Sequence, residues 1–218
     1  MKLRLVGSVA VAASLAAALA FAQEAPQQPG AKDEKPKWDV AAPPLPTRTV
    51  NINVDEGTWM DVDVSPDGRL IAFDLLGDIY TMPITGGAAT RIAEGLPFEM
   101  QPQFSPDGKH LAYADKRQRL RIVDVDSGRT REVDSSRNDD ITEYTWSPDG
   151  QWLAYTLTSD NGLTRIWLYS LKDGSRTAAT EATSSAFNPV FDPKGRRLYF
   201  LSNRDFNLQF SAFEQNYL

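Results

Sequence analysis

Along most of the chain, short apolar runs alternate with tight polar turns at a regular spacing. A large apolar residue stands just before each of four turns (Val64, Phe104, Trp146, Phe191), and two residues earlier stands another that can pack (Val62, Pro102, Tyr144, Pro189). That is the period-2 pattern of a strand. After each turn comes a near-continuous apolar run: Ile71-Ala72-Phe73, Leu111-Ala112-Tyr113, Leu153-Ala154-Tyr155 and Leu198-Tyr199-Phe200. Such runs suit an inner strand covered on both faces. In three repeats a third strand follows (Asp78–Met82, Arg121–Val125, Ile166–Tyr169), then a turn at Gly86-Gly87, Ser127-Gly128 or Asp173-Gly174, and a polar outer strand such as Ala89-Thr90-Arg91-Ile92.

The turns share a phrase. Ser65-Pro66-Asp67-Gly68, Ser105-Pro106-Asp107-Gly108 and Ser147-Pro148-Asp149-Gly150 recur, with the variant Asp192-Pro193-Lys194-Gly195, and successive starts lie 40, 42 and 45 residues apart. Proline presets φ, aspartate accepts local backbone N–H groups and glycine tolerates positive φ, so the phrase predicts a tight turn between strands. Four strands per roughly 40 to 45 residues is the period of a propeller blade. The predicted fold is an all-β propeller of about three and a half blades. Closed rings use about four to eight, so the expectation is an incomplete ring: a fragment, an open array or half of an assembly.

The propeller is assigned to residues 48–218. Before it, residues 1–22 read as an export signal: a basic start at Lys2 and Arg4, an Ala-rich apolar stretch from Leu5 to Leu19, and small residues Ala20 and Ala22 for cleavage, the latter preferred. Residues 23–47 hold six prolines and the patch Lys32-Asp33-Glu34-Lys35, a composition that predicts a disordered linker. These features predict a periplasmic or secreted protein with no membrane attachment after cleavage.

Charge and composition narrow the chemistry. The net charge of −6 becomes −8 once Lys2 and Arg4 are set aside, which argues against a nucleic-acid partner. No cysteine is present, which removes disulfides, thiolate zinc sites, a cysteine nucleophile and a lipidated N-terminal cysteine.

Two related resemblances then appear, both to the TolB-like propeller group. From about Lys37 to Ala114, with Glu56-Gly57-Thr58-Trp59-Met60 and Phe73-Asp74-Leu75-Leu76-Gly77-Asp78-Ile79-Tyr80, the chain resembles the N-terminal propeller of secreted TolB-amidohydrolase fusions. From Ala114 onward, Tyr144-Thr145-Trp146-Ser147-Pro148-Asp149-Gly150, Phe191-Asp192-Pro193 and Tyr199-Phe200-Leu201-Ser202-Asn203-Arg204-Asp205-Phe206-Asn207 are similar to the propeller of bacterial tricorn-type proteases. The second resemblance implies a propeller that feeds or filters peptides toward PDZ and serine-peptidase domains. The first implies metal-dependent hydrolysis through several histidines, which a chain with one histidine cannot supply. Three functions follow as expectations: a non-catalytic propeller segment of a tricorn-type serine protease, serving as scaffold and peptide-access surface; a stand-alone TolB-like protein-binding module of the cell envelope; or the front end of an amidohydrolase. The implied partners are a peptide or protein, and missing downstream domains or a second chain to close the ring.

No residue is assigned a catalytic, cofactor-binding or metal-ligating role. His110 falls in register with Leu70, Trp152 and Arg197, where the repeat accepts anything. The turn serines recur as a set, which points to turn geometry rather than a nucleophile. Asp61 with Asp63, Asp124 with Asp126, and Asp139-Asp140 are spaced like calcium ligands but precede no calcium loop; Asp61 and Asp63 read as the solvent side of a strand. The cluster Lys116-Arg117-Gln118-Arg119 reads as a solvated loop. The tail Phe206–Leu218, with Phe210, Phe213 and Tyr217, is too apolar for a solvated terminus and predicts partner contact or instability.

Overall fold

The computed structural model describes residues 45–46 and 48–204, and every regular element among them is a strand. Residues 1–22, expected to be an export signal, most of the expected linker 23–47 and the tail Phe206–Leu218 lie outside the described residues. Three four-stranded antiparallel sheets follow in chain order. The first holds β1 (Val62–Val64), β2 (Leu70–Leu75), β3 (Asp78–Pro83) and β4 (Thr90–Ala93). The second holds β5 (Glu99–Phe104), β6 (His110–Asp115), β7 (Arg119–Asp124) and β8 (Thr130–Ser135). The third holds β9 (Tyr144–Trp146), β10 (Trp152–Thr158), β11 (Thr164–Ser170) and β12 (Arg176–Ala178). A two-stranded sheet of β13 (Ala186–Phe191) and β14 (Leu198–Ser202) begins the fourth. The strands within each sheet stand in sequence order, so every connection is a hairpin. The sheets are the blades of a propeller whose described ring is not closed.

The shared turn phrase joins the first two strands of each blade by one mechanism. The glycine N–H donates to the serine carbonyl at 2.8 Å in all three Ser-Pro-Asp-Gly turns, with glycine φ of 71°, 71° and 67° at Gly68, Gly108 and Gly150. Left-handed φ is the conformation that glycine adopts without a Cβ penalty. In the fourth turn Gly195 donates to the Asp192 carbonyl at the same 2.8 Å.

Residues directly opposite across an antiparallel ladder share a face, which gives each blade a front, toward the preceding blade, and a rear. In the second blade Phe104, Leu111, Tyr113 and Val123 face forward and pack against Ala72, Ile79 and Ala93 of the first. In the third, Tyr144, Trp146, Leu153, Tyr155 and Tyr169 pack against Ala112, Ala114, Leu120 and Ile122 of the second. Among the described residues the core lies in slabs between blades, with Leu111, Tyr113, Leu153 and Tyr155 at 1% exposure or less, and Ala154, Ile166 and Ala186 buried where the third blade meets the fourth.

The two-sided cover expected of all four apolar runs holds in the middle blades and fails at both ends. Ile71 and Phe73 are only half-buried, Tyr199 is exposed, and the forward-facing Val62 and Val64 of the first blade are exposed. Among the described residues each end blade has a neighbouring blade on one side only.

Candidate functional site

The first strands of three consecutive blades, β1, β5 and β9, border one cleft of about 420 Å³. Asp61 and Asp63 come from the first blade, Gln101 and Gln103 from the second, and Thr142, Thr145 and Trp146 from the third. Polar side chains dominate the wall.

Hydrogen bonds between blades hold this wall in place. Asp63 accepts the Phe104 N–H at 2.7 Å, and Asp74, buried at 6% exposure, accepts the Gln101 N–H at 3.1 Å together with the Asp61 N–H at 2.9 Å. From the third blade, Trp146 Nε1 donates to the Gln103 carbonyl at 3.1 Å and the Tyr144 hydroxyl donates to the Gln101 carbonyl. The backbone of β5 is thus tied on one side by carboxylates and on the other by aromatic donors. Its groups are occupied by side chains, which protects the strand from pairing with another chain. Gln101 reaches this position through a left-handed φ of 57° at a bulge, and Asn188 repeats it with φ of 52° in the fourth blade. There Glu143 Oε2 accepts the Asn188 N–H at 2.9 Å and the Thr156 hydroxyl at 2.7 Å.

This placement corrects the reading of Asp63 as a strand's solvent side, while Asp61 is exposed. Asp63 is half-buried and bridges two blades, and Val62 and Val64 are exposed with Asp61, because the second blade covers the rear of β1 and nothing described covers its front. Asp124 caps a turn through the Ser127 N–H at 2.8 Å and hydroxyl at 2.6 Å, and Asp140 pairs with Lys116 at 2.6 Å. Among the described residues no three His, Cys, Asp or Glu side chains group as a metal site.

The turn serines carry out a structural task. Ser65, Ser105 and Ser147 donate to Asp67, Asp107 and Asp149 at 2.6, 2.6 and 2.5 Å, and accept the N–H of Leu70, His110 and Trp152 at 2.9, 3.0 and 2.9 Å. The serine hydroxyls and adjacent N–H groups hold Asp67 and Asp149 below the ordinary carboxylate range. At Asp107 burial acts upward, but Ser105 and the Lys109 N–H outweigh it. In the fourth turn Asp192 performs both roles and accepts the Arg197 N–H directly at 2.7 Å. His110 opens β6, half-buried, opposite Asp124. In the basic cluster, Lys116 pairs with Asp140, and Arg119 holds the buried Asp115 through Nε at 2.8 Å and Nη2 at 2.6 Å.

Two features carry no signal in the repeat pattern. Glu99, at 1% exposure, has neither carboxylate oxygen hydrogen-bonded, and burial pushes its carboxyl upward. Asp134 of β8 accepts the Tyr155 hydroxyl at 2.6 Å and pairs with Arg176, both from the third blade. Acidic residues at polar strand ends look like surface until the neighbouring blade is in place.

The comparisons decide among propeller families. The tricorn protease second beta propeller domain matches residues 94–218, more than half of the chain. The chain belongs to that family. The tricorn match begins ahead of Ala114, where the resemblance in the sequence changes. A tricorn-like protease C-terminal subunit of Sulfurisphaera tokodaii is 30% identical over 169 residues, covering 73% of this chain and 20% of that protein. Tricorn protease homolog 1 of Streptomyces coelicolor is 34% identical over 123 residues, covering 56% of this chain and 12% of its own length. The chain thus spans a fifth or less of these tricorn relatives. Among solved structures, a TolB of Agrobacterium tumefaciens aligns with a TM-score of 0.55 at 28% identity, covering 65% of this chain and 53% of that one.

Proposed function

We propose that this tricorn-type propeller segment is a non-catalytic scaffold and peptide-access surface of a periplasmic or secreted serine protease. The observation that carries the reading is the polar cleft shared by β1, β5 and β9, whose walls are fixed by bonds between blades. Each turn serine is committed to an aspartate and a backbone N–H, so none is poised to attack a carbonyl. A rigid polar wall suits passage or weak holding of an extended chain, which offers backbone donors and acceptors at every residue. Peptidase domains elsewhere in the same protein would supply the chemistry.

NMR titration with short unstructured peptides tests this. Shifts should appear at Gln101, Thr145 and the Trp146 indole, without hydrolysis, and Thr145→Arg should suppress them by filling the cleft. Peptide cleavage that persists through purification of the chain would refute the non-catalytic role, and absence of shifts at these residues would refute the access surface.

The TolB likeness supports a second reading, a stand-alone module that docks envelope proteins. Capture of one envelope protein by the wild-type chain, lost on Thr145→Arg but with no response to short peptides, would favour it.

A further inference from the structure

A second pocket, of about 460 Å³, lies between the first two blades and shares no lining residue with the cleft of β1, β5 and β9. One wall is the end of β4, where Ile92 and Ala93 are apolar and Arg91 is held by Asp78 and Glu94. The other wall comes from the second blade, with Tyr113 of β6, Arg121 of β7 and Thr130 at the start of β8. Arg121 sets this wall apart. Its guanidinium carbon lies over the Tyr113 ring, 5.9 Å from the centroid, and among the described residues it makes no hydrogen bond and no ion pair. Glu132 stands directly opposite across the β7–β8 ladder, exposed, yet does not pair with it. The other half-buried arginines are engaged, Arg119 by Asp115 and Arg165 by the Thr180 carbonyl. Of the Arg121 nitrogens only Nε is sealed from water without a partner, so the two Nη groups are the ones that open on the pocket.

We propose that this pocket binds a carboxylate end-on to the Nη groups of Arg121, with the short aliphatic body of the ligand against Ile92 and Ala93. A planar guanidinium presents parallel N–H donors at the spacing of two carboxylate oxygens. The contact with the Tyr113 ring holds that fork in place before a ligand arrives. Thr130, with the Tyr113 hydroxyl within its reach, adds neutral donors to the same wall, and burial pushes the Tyr113 hydroxyl upward so that it keeps its proton. The carboxylates of the facing wall are taken by Arg91, which leaves Arg121 to the ligand. Their negative charge and that of Glu132 disfavour an anion carrying two charges, such as phosphate, and so select a monocarboxylate. A free short-chain acid and the end of a peptide chain present the same two oxygens. This site does not depend on the peptide-access role of the cleft.

NMR titration of the full chain with isovalerate and with N-acetylvaline reads the outcome, against methyl isovalerate as the uncharged control and sodium chloride at equal ionic strength. Both acids should shift the Arg121 Nε–H signal and the backbone amides of Ile92 and Gly128, and the ester should not. Whichever acid binds more tightly identifies the source of the carboxylate, a free acid or a chain end. Arg121→Gln should weaken binding of either about tenfold or more, and Arg121→Lys, which keeps the charge and loses the fork, should fall between it and the wild type. Circular dichroism confirms that the variants keep their sheets; should Arg121→Gln unfold, the comparison of acid with ester on the wild type and the Arg121→Lys variant decide by themselves. Shifts no larger than those of sodium chloride, equal shifts with acid and ester, tighter binding of inorganic phosphate than of isovalerate, or binding indifferent to Arg121 would each overturn the proposal.

Discussion

Replacing Tyr155 by phenylalanine isolates the bond that joins the second and third blades through Asp134. Tyr155 is fully buried, and its hydroxyl donates to Asp134 Oδ2 at 2.6 Å, while Arg176 pairs with the other carboxylate oxygen. Asp134 itself is 7% exposed. Phenylalanine keeps the ring that packs against Ala112 and Ala114 and removes only the hydroxyl. A hydrogen bond to a charged group contributes about 1.5–3 kcal/mol. The remaining Arg176 contact keeps Asp134 from being stranded, so the expected loss lies near the lower end, about 2 kcal/mol. In urea the midpoint should fall with an unchanged slope, because the same surface is exposed on unfolding. Asp134→Asn should cost a comparable amount, and the double variant should cost clearly less than the two added together, since both remove one bond. A Tyr155→Phe chain within about 0.5 kcal/mol of wild type, the scatter of ordinary surface changes, would refute the view that this bond couples the blades.

Glu99 gives a pH test. Burial raises its carboxyl in the folded chain, so the folded state holds the proton more tightly than the unfolded one. Its contribution is therefore fully present below the unfolded value of 4.5 and is lost as pH rises through the folded one; Glu99→Gln should flatten that decline and raise the melting temperature at neutral pH, and a steeper decline would refute the assignment. Ser147→Ala should lower stability by about 1–2 kcal/mol in denaturant, because the Trp152 N–H loses its acceptor, whereas Ser147→Asp with Asp149→Lys, which copies the fourth turn, should recover most of that loss. Gly77→Ala combines a φ of 87° with a Cβ only 2.7 Å from the Phe98 ring, so it should cost more than Gly150→Ala, which has the positive φ but nothing nearer than Pro106 at 3.7 Å. Gly150→Ala should cost about 1 kcal/mol, and equal midpoints for the two variants would contradict the steric account.

The blades were legible in the sequence because the turn phrase does local work. Proline, aspartate and glycine act within four residues of one another, so the letters and the geometry repeat together. The bonds that shape the cleft are another matter. The same place in space, beside a left-handed bulge of the next blade, is served by Asp74 in the first blade and by Glu143 with Thr156 in the third. Thr156 stands in register with Asp74, but the carboxylate has moved to Glu143, in register with Asp61, so alignment of the repeats does not reveal which residue supplies it. A weak hint lay in Gln101-Pro102 and Asn188-Pro189, since a residue before proline is driven out of the right-handed helical region. It indicates irregular backbone without naming the carboxylate that receives its N–H.

Val62 and Val64 show the limit most plainly. Alternation of valine with Asp61 and Asp63 places the valines on one face and the carboxylates on the other, and that division is correct. Which face is wet depends on what packs over the strand, and beyond its ladder partner β2 it is β5 of the next blade that stands against β1. Periodicity records which residues share a face, while exposure records where a neighbour is present. In a stack of repeated blades these agree in the middle and part at the ends. The disagreement at Val64 and at Tyr199 marks the two faces against which no described blade stands.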